Sequence, residues 1–151
     1  MELILWRHAD AEDGKPDSER KLTAKGVRQA KRMAKWLKLR LPQDTTVIAS
    51  PAKRALQTVR ALTDDFEVAT EVGTSGSPDA LLTATNWPNQ KANTVLVVGH
   101  QPTLGETAAL LLTGRKEQWG LKKGAIIWLA HREHNGISRI HLRAAISPDL
   151  L

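Results

Sequence analysis

"LILWRHAD", residues 3–10, runs four core-forming side chains straight into a cation and an imidazole. A strand buried on both faces reads as a continuous apolar run rather than an alternation. The stretch therefore predicts a first strand over residues 2–7, which Arg7 and His8 close. The chain then leaves through small and acidic residues, Ala9 and Asp10. A strand anchored in a core holds whatever stands at its tip with little freedom, as a reactive group requires.

Outward from this strand the elements alternate. Thr23 to about Leu41 reads as a helix, with Pro42 marking its end. "TTVIAS", 45–50, is a short apolar strand, and Pro51 is placed to open a helix reaching about Thr63. "FEVAT" is a candidate third strand. Residues 73–79, "GTSGSPD", form a loop with a short helix after it. "NTVLVVGH", 93–100, is the strongest strand signal in the chain. It ends on Gly99–His100 and leads through Pro102 into a helix with Gly114 beyond its C-terminus. "GAIIWLAHRE" and "ISRIHLRAAI" flank His134–Asn135–Gly136, a hairpin signal. In the second run, Ile140, Leu142, Ala144 and Ile146 are expected on one face and Arg139, His141 and Arg143 on the other. The order predicts an α/β fold: a three-layer sandwich with a mostly parallel central sheet and an antiparallel edge.

Composition bounds the rest. At 151 residues, 41% hydrophobic and 25% charged, the expectation is one soluble domain spanning 1–151. No apolar stretch approaches the roughly 18–20 residues that span a bilayer. The N-terminus lacks the basic region and cleavage site of a secretory signal, so a cytoplasmic location is expected and no membrane partner. The absence of cysteine rules out a disulfide framework, a thiolate nucleophile and a Cys-based metal site. The net charge of +6 is uneven: between Lys15 and Arg40 stand ten basic residues and only Asp17 and Glu19 against them. Val27, Ala30, Ala34, Leu37 and Leu41 draw an apolar stripe through that segment, so the cations are read as the wet faces of an amphipathic helix. That leaves room for docking an acidic partner. Nucleic-acid binding is disfavoured, because with no Tyr and one Phe the stacking platforms would have to come from five scattered Trp.

In an open parallel sheet, ligands bind at the carboxyl ends of the strands. Three such ends carry unusual residues: Arg7–His8, Arg54 within "SPAKRALQT" (50–58), and His100–Gln101 ahead of a helix N-terminus. A lone His after a strand is ordinarily a capping or packing residue. Two of them converging with two Arg is a different pattern. Arginine forks suit phosphate oxygens, a helix N-terminus suits an anion, and a neutral imidazole can attack phosphorus. The set reads as a clamp for a phosphoryl group, with one His as nucleophile and the cations balancing transition-state charge.

"LWRHADAE", "SPAKRALQT" and "VLVVGHQP", in that order, resemble the histidine phosphatase superfamily with its Arg-His-Gly signature. The stretch "DSERKLTAKGVRQAKRMAKWL", with Asp17, Arg20, Leu22, Thr23 and Gly26, is similar to its SixA-like phosphohistidine phosphatase branch. The resemblance covers nearly the whole chain, most firmly residues 1–60 and 93–110. It implies a phosphoglycerate-mutase-like fold and a catalytic set of His8, His100, Arg7 and Arg54. His8 would form a covalent phosphohistidine intermediate. Arg7, Arg54, His100 and Gln101 would bind substrate, and no metal or other cofactor is implied. The implied partner is a phosphorylated protein such as a histidine phosphotransfer domain.

Ala9 stands where the wider superfamily has Gly, as in many members of that branch. The region that carries a general acid in phosphomonoesterases reads "EVGTSGSPDALL" here, with Glu71 and Asp79 available and Asp79 the candidate acid. An alkoxide leaving group needs a proton in the transition state, whereas the imidazole of a protonated phosphohistidine departs without a strong acid. Little chain is left for a lid, so a shallow pocket open to a phosphorylated side chain is expected. The alternatives are a small-molecule phosphomonoesterase of the same superfamily and a phosphate-binding module without catalysis. His131, His134 and His141 are read as structural or surface residues.

Overall fold

The computed structural model describes residues 1–88 and 93–151. Six strands form one sheet in the order β3-β2-β4-β1-β5-β6. They are β1 (Glu2–Arg7), β2 (Thr46–Ala49), β3 (Glu67–Val68), β4 (Thr94–Gly99), β5 (Ile126–His134) and β6 (Ile137–Ile146). The first four are mutually parallel; β5 runs antiparallel to β1, and β6 to β5. Among the described residues four α-helices cover the two faces: α1 (Ala24–Lys38), α2 (Lys53–Arg60), α3 (Pro78–Ala84) and α4 (Thr103–Thr113). Among the described residues no helix is long and apolar enough to cross a membrane.

Alternate residues of a strand point to opposite faces, and here both faces are core. Ile4 and Trp6 pack with Leu96 and Val98 under Met33 and Leu37 of α1 and Val59 of α2. Leu3 and Leu5 pack with Val95 and Val97 under Leu81 of α3 and Leu104 of α4. Residues 3–6 are fully buried, each worth about 1.5–3 kcal/mol of transfer free energy. The tip of β1 is thus fixed from both sides.

Thr23 caps α1 by accepting from the Gly26 amide at 3.0 Å. The helix ends at Lys38, short of the expected Leu41. Its inward residues are Gly26, Ala30, Met33, Ala34 and Leu37, while Val27 is 38% exposed and lies off the stripe. α2 begins at Lys53 after an Ala52 cap, so Pro51 belongs to the turn before it. Only Glu67–Val68 of "FEVAT" forms a strand. α4 closes on Gly114 in the left-handed region at φ 77°, as expected of a helix C-terminus.

The hairpin turn has positive φ at Asn135 (51°) and Gly136 (74°), the type I′ pattern that matches strand twist. The single-face expectation for β6 fails. A bulge between Trp128 and Leu129 opposes Trp128 to Ala144 and Leu129 to Leu142. It leaves one extra residue on β6 and switches faces. Ile140 therefore packs with the α3–α4 layer, Ala144 and Ile146 with the α1–α2 layer, and Leu142 is 53% exposed.

From β1 the chain passes through α1 toward β2 on one side, and from β4 through α4 toward β5 on the other. The adjacent ends of β1 and β4 are therefore the switch point at which α/β sheets bind ligands.

Candidate active site

Arg7 pairs with Gly99 at the ends of β1 and β4, so the residues that follow, His8 and His100, emerge side by side. The His8 amide donates to the Gly99 carbonyl at 3.1 Å, and the two imidazole rings lie 5.1 Å apart. Both side chains are buried.

His8 Nδ1 lies 2.7 Å from its neighbour's carbonyl, Ala9 O. A carbonyl only accepts, so Nδ1 carries the proton and Nε2 keeps the lone pair. Arg54 Nε donates to that Nε2 at 3.3 Å. Burial pushes the His8 pKa down to about 3, with the positive surroundings of Arg54 and Arg7 acting in the same direction. Burial, followed by Arg54, brings His100 down to about 4. Near neutral pH both rings are uncharged, the form a nucleophilic imidazole needs.

Arg54 sits in the first turn of α2, 4% exposed, and its other nitrogens are fixed by Asp17: the carbonyl at 2.8 Å and Oδ2 at 3.0 Å. Thr58, one turn further along α2, accepts from the Ala9 amide at 3.0 Å and donates to the Arg54 carbonyl at 2.7 Å. One hydroxyl thus ties the loop after His8 to the helix that carries Arg54. His100 Nε2 lies 2.7 Å from Ser50 Oγ at the end of β2. Arg7 donates one nitrogen to the Leu121 carbonyl at 2.6 Å, while its Nε is buried with no partner among the described residues. A buried guanidinium N–H of that kind suits an anion. Beside Arg54 opens a cleft of about 330 Å³ lined by Asp17, Ser18, Ser50, Pro51, Ala52 and Thr74.

The structure brings Arg7, His8, Arg54 and His100 together. Gln101 is occupied within the protein: its Oε1 accepts from the Gly105 amide at 2.7 Å and its Nε2 donates to the Trp119 carbonyl at 2.7 Å. Asp79 lies in the first turn of α3, its side chain 76% exposed and paired with Lys116 at 3.3 Å. Glu71 is exposed, and its carboxylate accepts from the Thr70 hydroxyl. Among the described residues no three His, Asp or Glu gather as a metal ligand set. Sequence reasoning passed over Thr58 and Ser50. The four-residue step from Arg54 to Thr58 on one helix face, inside the quoted "SPAKRALQT", was the available signal for the first.

Residues 3–74 match the family model of the histidine phosphatase superfamily (branch 1). Phosphohistidine phosphatase SixA of Escherichia coli (strain K12) is 35% identical over 124 residues, 76% of this chain and 76% of that protein. The structure of the protein histidine phosphatase SixA complexed with tungstate superimposes with a TM-score of 0.84 at 28% identity, covering 99% of each chain. An Entamoeba histolytica phosphoserine phosphatase shares the fold at a TM-score of 0.72 and 18% identity, over 99% of this chain and 98% of that one.

Proposed function

This chain belongs to the histidine phosphatase superfamily, and from that premise we propose that it removes phosphoryl groups from histidine side chains of proteins. It is a phosphatase close to SixA in sequence and structure. The observation that carries the finer reading is the His8 tautomer: Nδ1–H held by the Ala9 carbonyl, and Nε2 left with the lone pair that Arg54 Nε meets at 3.3 Å.

In this reading His8 Nε2 attacks phosphorus, a P–N bond forms to it, and the P–N bond to the substrate imidazole breaks with its electron pair staying on the departing ring. Arg7 and Arg54 bind the equatorial oxygens, with the buried Arg7 Nε as a donor and His100 beside them. Water then attacks phosphorus, the P–Nε2 bond breaks, and His8 recovers its lone pair as phosphate leaves. Asp79, exposed and paired with Lys116, favours a leaving group that needs no strong acid. The substrate is a phosphorylated protein such as a histidine phosphotransfer domain, met in the cytoplasm by one domain spanning residues 1–151.

The test is dephosphorylation of a phosphohistidine protein domain beside p-nitrophenyl phosphate, with His8→Ala as control. Fast P–N cleavage, lost in the variant and with weak ester turnover, is expected. Faster ester turnover would make the enzyme a small-molecule phosphomonoesterase, and no turnover of either would leave a phosphate-binding module.

A further inference from the structure

We propose that Asp17 recognises the leaving imidazole of phosphohistidine, accepting a hydrogen bond from its unphosphorylated ring nitrogen. The assignment rests on the phosphohistidine reading above and names the residue that would select a P–N over a P–O substrate. Asp17 reaches the site by a contact no local pattern announces. From the 3₁₀ turn Asp17–Glu19 its backbone carbonyl and Oδ2 both hold Arg54, and Arg54 touches the His8 nucleophile. The other carboxylate oxygen, Oδ1, takes Arg20 at 3.0 Å.

Among the described residues Asp17 is also the one acidic residue lining the cleft beside Arg54; its other walls are Ser18, Ser50, Pro51, Ala52 and Thr74. The carboxylate is 59% exposed, so it is not sealed behind Arg54 but reachable by an incoming ring. A carboxylate has about four acceptor positions, and the two arginines leave some of them open. Hydrogen bonds from Arg20 and then Arg54 hold its pKa below the usual carboxylate range, so at neutral pH it accepts and cannot serve as a proton donor.

The chemistry gives such an acceptor a use. A phosphorylated imidazole leaves as a neutral ring only if its far nitrogen carries a proton when the P–N bond breaks. The bond's electron pair then stays on the nitrogen that held phosphorus, the far N–H is retained, and the ring goes from cation to neutral. An imidazole titrates near pH 6.5, so above that value much of the substrate lacks this proton. A carboxylate facing the far nitrogen favours the protonated ring and extends turnover to higher pH. A p-nitrophenolate leaving group has no such N–H to offer, so it gains nothing from Asp17 beyond the hold on Arg54.

The two substrates therefore separate this role from the simpler one of pinning Arg54. Asp17→Asn keeps the shape and the backbone carbonyl contact while removing the charge. The measurement is kcat/KM from about pH 6 to pH 9 on a phosphohistidine protein domain and on p-nitrophenyl phosphate. Expected is a loss on phosphohistidine near pH 8 that exceeds the loss on the ester by about tenfold or more, the excess shrinking toward pH 6. A loss of equal size on both substrates would reduce Asp17 to a support for Arg54, and an unchanged phosphohistidine profile would remove it from the site; either overturns the assignment. A wild-type enzyme that turns over the ester but not phosphohistidine would fail one step earlier, at the proposed substrate, and take the assignment with it.

Discussion

In the proposed mechanism His8 attacks as an uncharged ring, and the means of keeping it so has a cost in stability. In the folded chain its pKa is about 3, because burial and the neighbouring guanidinium groups oppose a second proton. In the unfolded chain it returns to about 6.5. Between those values the unfolded state binds a proton that the native state refuses, so stability falls as the pH drops below about 6.5. His100, at about 4, adds to the same slope. From pH 7 to pH 5 the His8 contribution is on the order of 2 kcal/mol. Urea unfolding at the two pH values is expected to show a shallower decline in His8→Asn than in wild type. Equal slopes would mean that His8 titrates in the native protein much as it does in the unfolded chain.

At the scale of elements, Gly26 decides how α1 meets the loop after His8. A Cβ built at this position would stand 1.9 Å from the Asp10 carbonyl oxygen, a backbone atom with no rotamer to yield. The same loop is held on every side: Asp10 donates its amide to Gln29, accepts from Thr23 at 2.8 Å and pairs with Lys123 at 2.8 Å. Gly26→Ala must push α1 off this loop or shift Asp10, two residues from His8. The expected loss is about 2–3 kcal/mol in urea unfolding, together with a lower kcat, although alanine favours helices. An unchanged midpoint would show that the contact relaxes freely. This is also where the limit of the sequence is visible. Periodicity put Val27 on the inward stripe, because glycine has no hydropathy to announce that a backbone needs to come close. The β6 bulge was hidden for a related reason: one unpaired residue switches the faces of a strand whose written alternation is unbroken. The long buried strands β1 and β4 were legible, since their apolar runs have no other use.

Over the whole molecule, the convergence of Arg7, His8, Arg54 and His100 was readable because parallel strands deliver their carboxyl ends to one edge. The Asp17–Arg54 pair was not, since it joins residues 37 apart through side-chain geometry alone. Charge lies between these cases: its amount is written in the sequence, its placement needs the fold. Lys25, Arg28, Lys31, Arg32, Lys35 and Lys38 all lie on exposed positions of α1, whose N-terminal turn abuts the loop leading from His8. With a net charge of +6 the chain attracts anionic partners over distances that salt can screen. If the substrate is an acidic phosphoprotein, this field raises its encounter rate, while a small ester diffuses in nearly unaided. Raising salt from about 0.05 to 0.5 M shortens the screening length from roughly 14 to 4 Å. It should lower kcat/KM on an acidic phosphohistidine domain severalfold and change that on p-nitrophenyl phosphate little. Replacing Lys31 and Lys35 together by Glu should flatten the first dependence and leave the second unchanged, because neither belongs to the Arg7–His8–Arg54–His100 cluster. Were both substrates to respond to salt alike, α1 would be only a solvated face, and recognition of the protein would have to come from the rim of the cleft itself.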